Sequence, residues 1–421
     1  MGVILPLVLL ILATVAAAVV AYGIHPAWAQ YPHGFDLILF SRRFEWPLIA
    51  VVLLLCIGLI ALVISGRKRA WWLVGLAPIL ALFAHRFALD PDNAFVVNTQ
   101  PNFVTADKAD FVSDDDWVVG IVYEGSATAY PYAALYPAPL VVNSDQQSPL
   151  ILMWSPFANR AIAVRTDRSV KASELEIVGM PANTLLIYNS RIGQFINGVT
   201  GQTMTGQQPA GFGATVPTVK TTWKHWVTLH PDTRVLMPIA ATNLAAPTRP
   251  VLPYYPMPKT TKMIPGHEND PPETPVAFVE TTPALALLDS DLKSPTSNVE
   301  SPGAALLLVR DGHTGSIVAF DRQVDNDLFP IFREKIFPKF PQATLVDADS
   351  GSAWTADGRA IDGPLKGDKL RPVDVDDEVY LGVLRIWYPS LKILTPMALP
   401  AQGSDAGVKP TKPGRSRTPK G

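Results

Sequence analysis

The first 90 residues carry runs of apolar side chains too long for any soluble fold to hide. From Gly2 to Tyr22 there is no charged residue, and about 20 apolar positions are what a helix needs to cross a bilayer. Trp46 to Ser65 is a second such run, with Trp46 at one interface and Arg67, Lys68 and Arg69 at the other. A third, Ala70 to Ala84 (AWWLVGLAPILALFA), is shorter, contains Pro78 and opens on Trp71 and Trp72, where an interfacial aromatic belt would sit. The sequence therefore predicts a membrane anchor over 1–90 with two or three spans (2–22, 46–65, 70–84). With Arg67 to Arg69 placed inside and three spans, the rest of the chain is exported to the extracytoplasmic, periplasmic side. Arg42 and Arg43 in the other loop pull against that count, and Ala27-Trp28-Ala29 offers a signal-peptidase-like site. The first span lacks a basic leader, which favours an uncleaved anchor.

Composition removes several classes of function. The formal net charge of −2 gives no basic footprint, so nucleic acid is not an expected partner. Cys56 is the only cysteine and lies inside an apolar run. No disulfide within the chain, CxxC pair or Cys-based zinc site can form, and neither a cofactor nor a metal is expected. Prolines crowd between about 247 and 302 and near the C-terminus, marking a connector over 241–274 and a disordered basic tail over 398–421.

Past residue 110 the pattern shortens to strand-like runs such as WVVGIVYEG, PLVVNS, PLILMW and AIAVRT, bounded by Gly, Pro, Asn and Asp. One helix is predicted at TTWKHWVTLHP, where Thr221 or Thr222 can cap and Trp223, Trp226 and Val227 share a face before Pro231. The order then recurs. LILMWSPFANRAIAVRTDR matches LLLVRDGHTGSIVAFDR, LIYNSRIGQFINGVTGQTMTG matches LVDADSGSAWTADGRAIDG, and WVTLHPDTRVL matches RIWYPSLKIL. This predicts a mainly β soluble region built from two divergent repeats, 112–240 and 275–397, each an intact unit packing about a shared seam where a site would lie.

The series DWVVG, VVN, WSPFANRAIAV, YNS…G…TGQTMTG and TWKHWVTLHPDTRVL resembles the bacterial domain-of-unknown-function family 3179, over about residues 112–395. The resemblance implies Tyr-Cys-Pro-Leu-Cys at the Trp154–Ala158 stretch and a His-Glu pair upstream, a set able to hold a soft metal or run thiol chemistry. Here those thiol positions are Ser155 and Ala158, and the upstream region reads YPAPLVVNS. The second copy keeps Asp347, Ser350, Ser352 and Trp354 of a further family element, whereas the first has Asn189 and Ile196.

Ser155 lacks the G-x-S-x-G elbow of an esterase nucleophile and precedes proline as turn residues do. Asn159 and Arg160 could grip a carboxylate, or serve as a loop cap and a solvated charge. His225 and His230 are five apart and do not share a helix face; His25, His33, His267 and His313 are scattered. DADSGS (347–352) lacks the final Glu of a calcium loop, that position being Gly358. SDDD (113–116) and DVDDE (374–378) read as solvated loops. No catalytic residue is assigned. Ser155, Asn159, Arg160, Asp347, Ser352 and Trp354 are candidate ligand contacts. The expected partners are the lipid bilayer and an envelope protein or a small polar ligand. The sequence thus predicts a membrane-anchored binding or scaffolding module, with an envelope enzyme or a degenerate partner of a Cys-bearing paralogue as alternatives.

Overall fold

A computed structural model describes residues 4–66, 69–89, 95–143, 149–239, 257–258, 261, 263–311, 315–324 and 328–398. Most of the connector, His313 and nearly all of the basic tail lie outside the described residues. Three N-terminal helical segments are long and apolar enough to cross a membrane. They are α1 (Ile4–Tyr22), α3 (Glu45–Ile64) and the continuous helical stretch Ala70–Phe87. The last was expected to be a shorter, interrupted run. It is a 3-10 turn (Ala70–Gly75), then α4 (Leu76–Ala84), then a π turn. Pro78 falls in the first turn of α4, where no intrahelical N–H bond is lost. Ala13 and Ala17 of α1 meet Val52 of α3 and Ile79 of α4; such small residues let apolar helices approach closely.

Between the first two spans, α2 (Gly34–Arg43) is a short amphipathic helix that leads through Phe44 into α3. Its buried face does not look toward the other helices alone. Ile38, with Ala29 of the preceding 3-10 turn, packs on Val178, Ala182, Leu186 and Phe195, far along the chain.

The β region begins with β1 (Val97–Asn98), β2 (Phe103–Thr105), β3 (Trp117–Tyr123) and β4 (Ser126–Pro131). The short α5 (Tyr132–Leu135) leads to β5 (Leu140–Asn143), β6 (Leu150–Ser155) and β7 (Arg160–Thr166). Next come β8 (Leu175–Gly179), β9 (Leu186–Asn189), β10 (Gln194–Asn197), β11 (Phe212–Val216) and β12 (Thr218–Thr222). The helix expected from TTWKHWVTLHP is α6 (Trp223–Leu229), followed by β13 (Arg234–Leu236). Thr222 occupies the cap position of α6 without a side-chain cap bond. Trp226 of α6 lies on Gly120 of β3, where a Cβ would come within 2.2 Å of the indole, so only glycine leaves room for that packing.

The second stretch holds β14 (Pro275–Val279), β15 (Leu285–Leu288), β16 (Thr296–Ser301), β17 (Ala304–Arg310) and β18 (Ile317–Asp321). It continues with β19 (Phe332–Glu334), β20 (Ala343–Asp347), β21 (Ala353–Thr355), β22 (Ala360–Asp362) and β23 (Arg371–Val373). It ends with β24 (Asp376–Tyr380), α7 (Leu381–Trp387) and β25 (Lys392–Leu394).

Six sheets result, and the region is mainly β after the apolar helices. One sheet of the first stretch runs β12-β3-β4-β13-β2, and one of the second runs β24-β14-β15-β25. In each, the strand before a helix pairs antiparallel with the first hairpin, and the strand after the helix joins parallel. The other pairs of sheets are β1-β5-β6-β7-β11 against β16-β17-β18-β23, and β10-β9-β8 against β19-β20-β21-β22. Strands β1 and β2 precede residue 112, where the sequence places the start of the soluble unit; they pair with β5 and β13.

Candidate functional site

The β6–β7 hairpin turns through Pro156 to Asn159, and Ala158 N–H closes it by donating to Ser155 O at 3.1 Å. Asn159 takes φ +48°, a left-handed conformation that asparagine tolerates better than most residues. Ser155 is fully buried, and its hydroxyl accepts the Leu185 N–H at 3.1 Å. Ala158, at the other position where the family resemblance implies a thiol, is fully buried too.

What this turn faces is β24. The Ala158 carbonyl accepts Tyr380 N–H at 3.2 Å, and Asn159 Nδ2 donates to the Glu378 carbonyl at 3.2 Å. Tyr132 OH donates to Asn159 Oδ1 at 2.8 Å. Arg160 Nη1 meets Asp376 Oδ2 at 2.9 Å, Nη2 meets Glu280 at 2.6 Å, and Nε donates to the Val199 carbonyl at 2.8 Å. Its guanidinium also lies 4.6 Å from the centre of the Phe278 ring. Lys220 of β12, 2% exposed in its side chain, pairs with Asp376 Oδ1 at 2.6 Å and donates to the Asn159 carbonyl at 2.6 Å. Asp376 is thus held between two cations from the first stretch.

The reading of DVDDE as a solvated loop holds for Asp374, which is exposed, and is overturned for Asp376 and Asp377, which are both buried. A β-bulge causes it. Val276 and Phe278 of β14, two residues apart, pair with Val379 and Asp376 of β24, three apart, and Glu378 in the extra space takes φ +55°. A bulge re-aims side chains that strict alternation would send to opposite faces, so neighbouring carboxyls both enter the interior. The reading of Arg160 as a solvated charge fails likewise, because two carboxylates surround a side chain that is 6% exposed.

Crowding shapes the protonation of this seam. Burial pushes Asp377 up to about 7 against the pull of Lys220, and raises Glu378 as well. For Arg160 burial works against the charge, yet the surrounding Tyr388, Asp376 and Glu280 hold its pKa above the ordinary arginine value. Tyr388 OH donates to Glu280 at 2.9 Å, closing the outer edge.

Asp347, Ser352 and Trp354 sit apart from this cluster, in the β20–β21 connection. Asp347 is fully buried, and its Oδ1 accepts the N–H groups of Asp349 at 2.8 Å and Ser350 at 3.0 Å. Ser350 Oγ donates to Asp347 Oδ2, and Ser352 Oγ accepts Leu365 N–H at 3.0 Å. Trp354, fully buried, meets Phe332 edge-on at 5.4 Å. The structure therefore splits the six sequence candidates into a seam group and a self-contained turn. It adds Lys220, Glu280, Asp374, Asp376, Asp377 and Tyr388, which the sequence reading passed over. A lysine alternating with threonines in TVKTT, and five residues of which four are acidic beside the apolar VYLGVL, were the available signals.

Among the described residues no group of three His, Cys, Asp or Glu is arranged to hold a metal ion. His230 stacks on Trp226 at 4.3 Å, and burial lowers its pKa.

These features define a mainly β protein with apolar N-terminal helices able to span a membrane and a charged seam inside the β region. The family model described as "Protein of unknown function (DUF3179)" matches residues 97–381, more than half of the chain, and the chain belongs to that family. No curated protein and no solved structure matches it.

Proposed function

We propose that the chain is a membrane-anchored, extracytoplasmic protein whose β region is two divergent copies of one unit, acting as a binding or scaffolding module of the cell envelope. The observation that carries this reading is the use made of Asn159 and Arg160: the Asn159 side-chain nitrogen and both terminal nitrogens of the Arg160 guanidinium, which could greet a substrate, are engaged with the other stretch of the β region. A buried ion cluster of this kind fixes the mutual placement of two units. The matching strand orders of the paired sheets support descent from one unit. The burial of Ser155 and its hydrogen bond from the Leu185 amide support a structural part for this hydroxyl.

The docking of the N-terminal loop supports this orientation. The loop between α1 and α3 is clamped to the β region by Ile38 and by Arg42, which pairs with Glu45 at 2.8 Å and with Glu176. Arg43 donates to the Gly193 carbonyl at 2.9 Å. That loop and the β region therefore share one side of the bilayer, which requires Ala70–Phe87 to cross. The end of α3 and Arg69 then face the opposite side, and the positive-inside tendency, applied to the basic sequence Arg-Lys-Arg at that point of the chain, makes that side the cytoplasm. The two arginines that counted against this topology are those engaged in the clamp.

Two experiments test the reading. A C-terminal alkaline phosphatase fusion is expected to be active and a β-galactosidase fusion inactive; the reverse pattern overturns the orientation. A Ser155→Ala/Asn159→Ala double variant is expected to complement a gene deletion as far as its folded fraction allows. Failure to complement with the fold intact would instead make the turn a reactive site.

A further inference from the structure

We propose that the seam also holds a ligand cavity for a single-chain amphipath whose head carries an acceptor oxygen, a carboxylate in the simplest case. This rests on the reading of the protein as a binding module and names the chemistry of what it binds. The cavity, about 620 Å3, lies between β12 and α6 on one side and β16–β20 on the other. Its two faces follow from strand alternation. Val219 and Thr221 of β12 point one way, while Thr296, Val309 and Val318 form one cross-strand row on β16, β17 and β18. Trp226 and Leu229 of α6 and Ile336 also line it. Leu229 is 60% exposed and Ile336 90%, so the apolar surface continues out to the mouth.

Three polar atoms around this cavity have no hydrogen-bond partner: Thr221 Oγ1, Thr296 Oγ1 and Arg310 Nε. Thr221 is 0% exposed and Thr296 4%, and folded proteins leave few buried polar atoms unsatisfied. Arg310 is otherwise engaged, its Nη1 donating to Gly315 O at 3.1 Å and its Nη2 pairing with Asp289. The arginine Nε–H can only donate, and each threonine hydroxyl can donate. The complementary group is an oxygen with free lone pairs. Rotation about χ1 re-aims a threonine hydroxyl, so we take both hydroxyls to turn toward the cavity as a ligand enters. The valines, Trp226 and Leu229 then face an alkyl body.

The test uses the full chain in lipid nanodiscs, with octanoate as probe, titration calorimetry as readout and empty nanodiscs as reference. Octanoate is expected to bind above the reference. Thr221→Val and Thr296→Val should each weaken binding about tenfold while leaving the unfolding temperature unchanged or raised, since each replaces an unpartnered hydroxyl by a methyl of the same shape. Absence of binding, equal binding by both variants, equally tight binding of octylammonium, or a lowered unfolding temperature in both variants would each overturn the proposal. The wider reading is judged separately, by native mass spectrometry of the same particles: a different retained small molecule leaves the binding module standing, and an empty protein that also fails to take octanoate counts against both.

Discussion

The two polar turns of the β region, Ser155–Arg160 and Asp347–Ser352, look alike as sequence and do opposite things. In the first, the carbonyls of Ala158 and Asn159 and the side chains of Asn159 and Arg160 all reach outward, to β24, Lys220 and Glu280. In the second, Asp347 folds its acceptors back onto Asp349 and Ser350. A turn whose carboxylate is satisfied by its own residues needs only neighbours of its own stretch, such as Leu365 and Ile331, whereas one that leaves its carbonyls and charges open becomes an interface. The difference lies in which partners the fold brings opposite: Asn159 and Arg160 meet β24, whereas Asp347 meets the amides of its own turn.

The largest effect that would break this contrast is at Arg160. Arg160→Met strands Asp376 and part of Glu280 without their guanidinium, and removing one partner of a buried pair costs about 3–5 kcal/mol. Chemical denaturation should show that loss, and hydrogen exchange should rise along β24. Asp347→Ala should cost less, about 1–3 kcal/mol for amide donors left unmade, and exchange along β24 should stay as it was. If it rises there too, the second turn is not self-contained. Ser155→Ala leaves one buried amide, that of Leu185, without its acceptor, and a loss of about 1–2 kcal/mol is expected in the same denaturation series.

A pH series sharpens the same comparison. Asp377 has a folded pKa raised to about 7 above an ordinary 3.8. The folded state thus binds its proton more tightly than the unfolded chain does. Its contribution to stability is full below pH 3.8 and is lost as pH rises through 7. Asp377→Asn should flatten this part of the stability profile and make the protein relatively more stable at pH 8. An unchanged profile would show that Asp377 is solvated. The smallest effect is expected at Arg42→Gln, where a partly exposed pair with Glu176 is worth about 1 kcal/mol at most. Its readout is exchange in β8–β10, which should quicken if α2 clamps that sheet.

Legibility in the sequence divides along physical lines. The spans, β3, β6, β7 and α6 could be read directly because each states its environment through its own side chains: charge-free length, alternation, or a 3.6-residue stripe. The clamp was not readable, because GFDLILFSRR carries only one face's worth of apolar residues and its target, Val178 to Phe195, lies over 130 residues away. DVDDE was misread for a related reason. A run of carboxylates is normally solvated, and only a bulge opposite Phe278, together with Arg160 and Lys220 arriving from another sheet, makes burial tolerable. Of the candidate site, Asn159 and Arg160 were found as residues, while their partners were not.

The way α2 passes into α3 has a mechanical consequence. Only Phe44 separates a helix fastened to the β region from one long enough to cross the bilayer, and Arg86, near the end of the third helical segment, reaches back to Glu45 at 3.1 Å. The connection is a bracket with two fixing points, unlike the flexible stalk on which many anchored domains swing. On the membrane-anchored reading proposed above, this bracket holds the β region at a set height and heading above the lipid, and a partner reaches the seam from only a narrow range of directions.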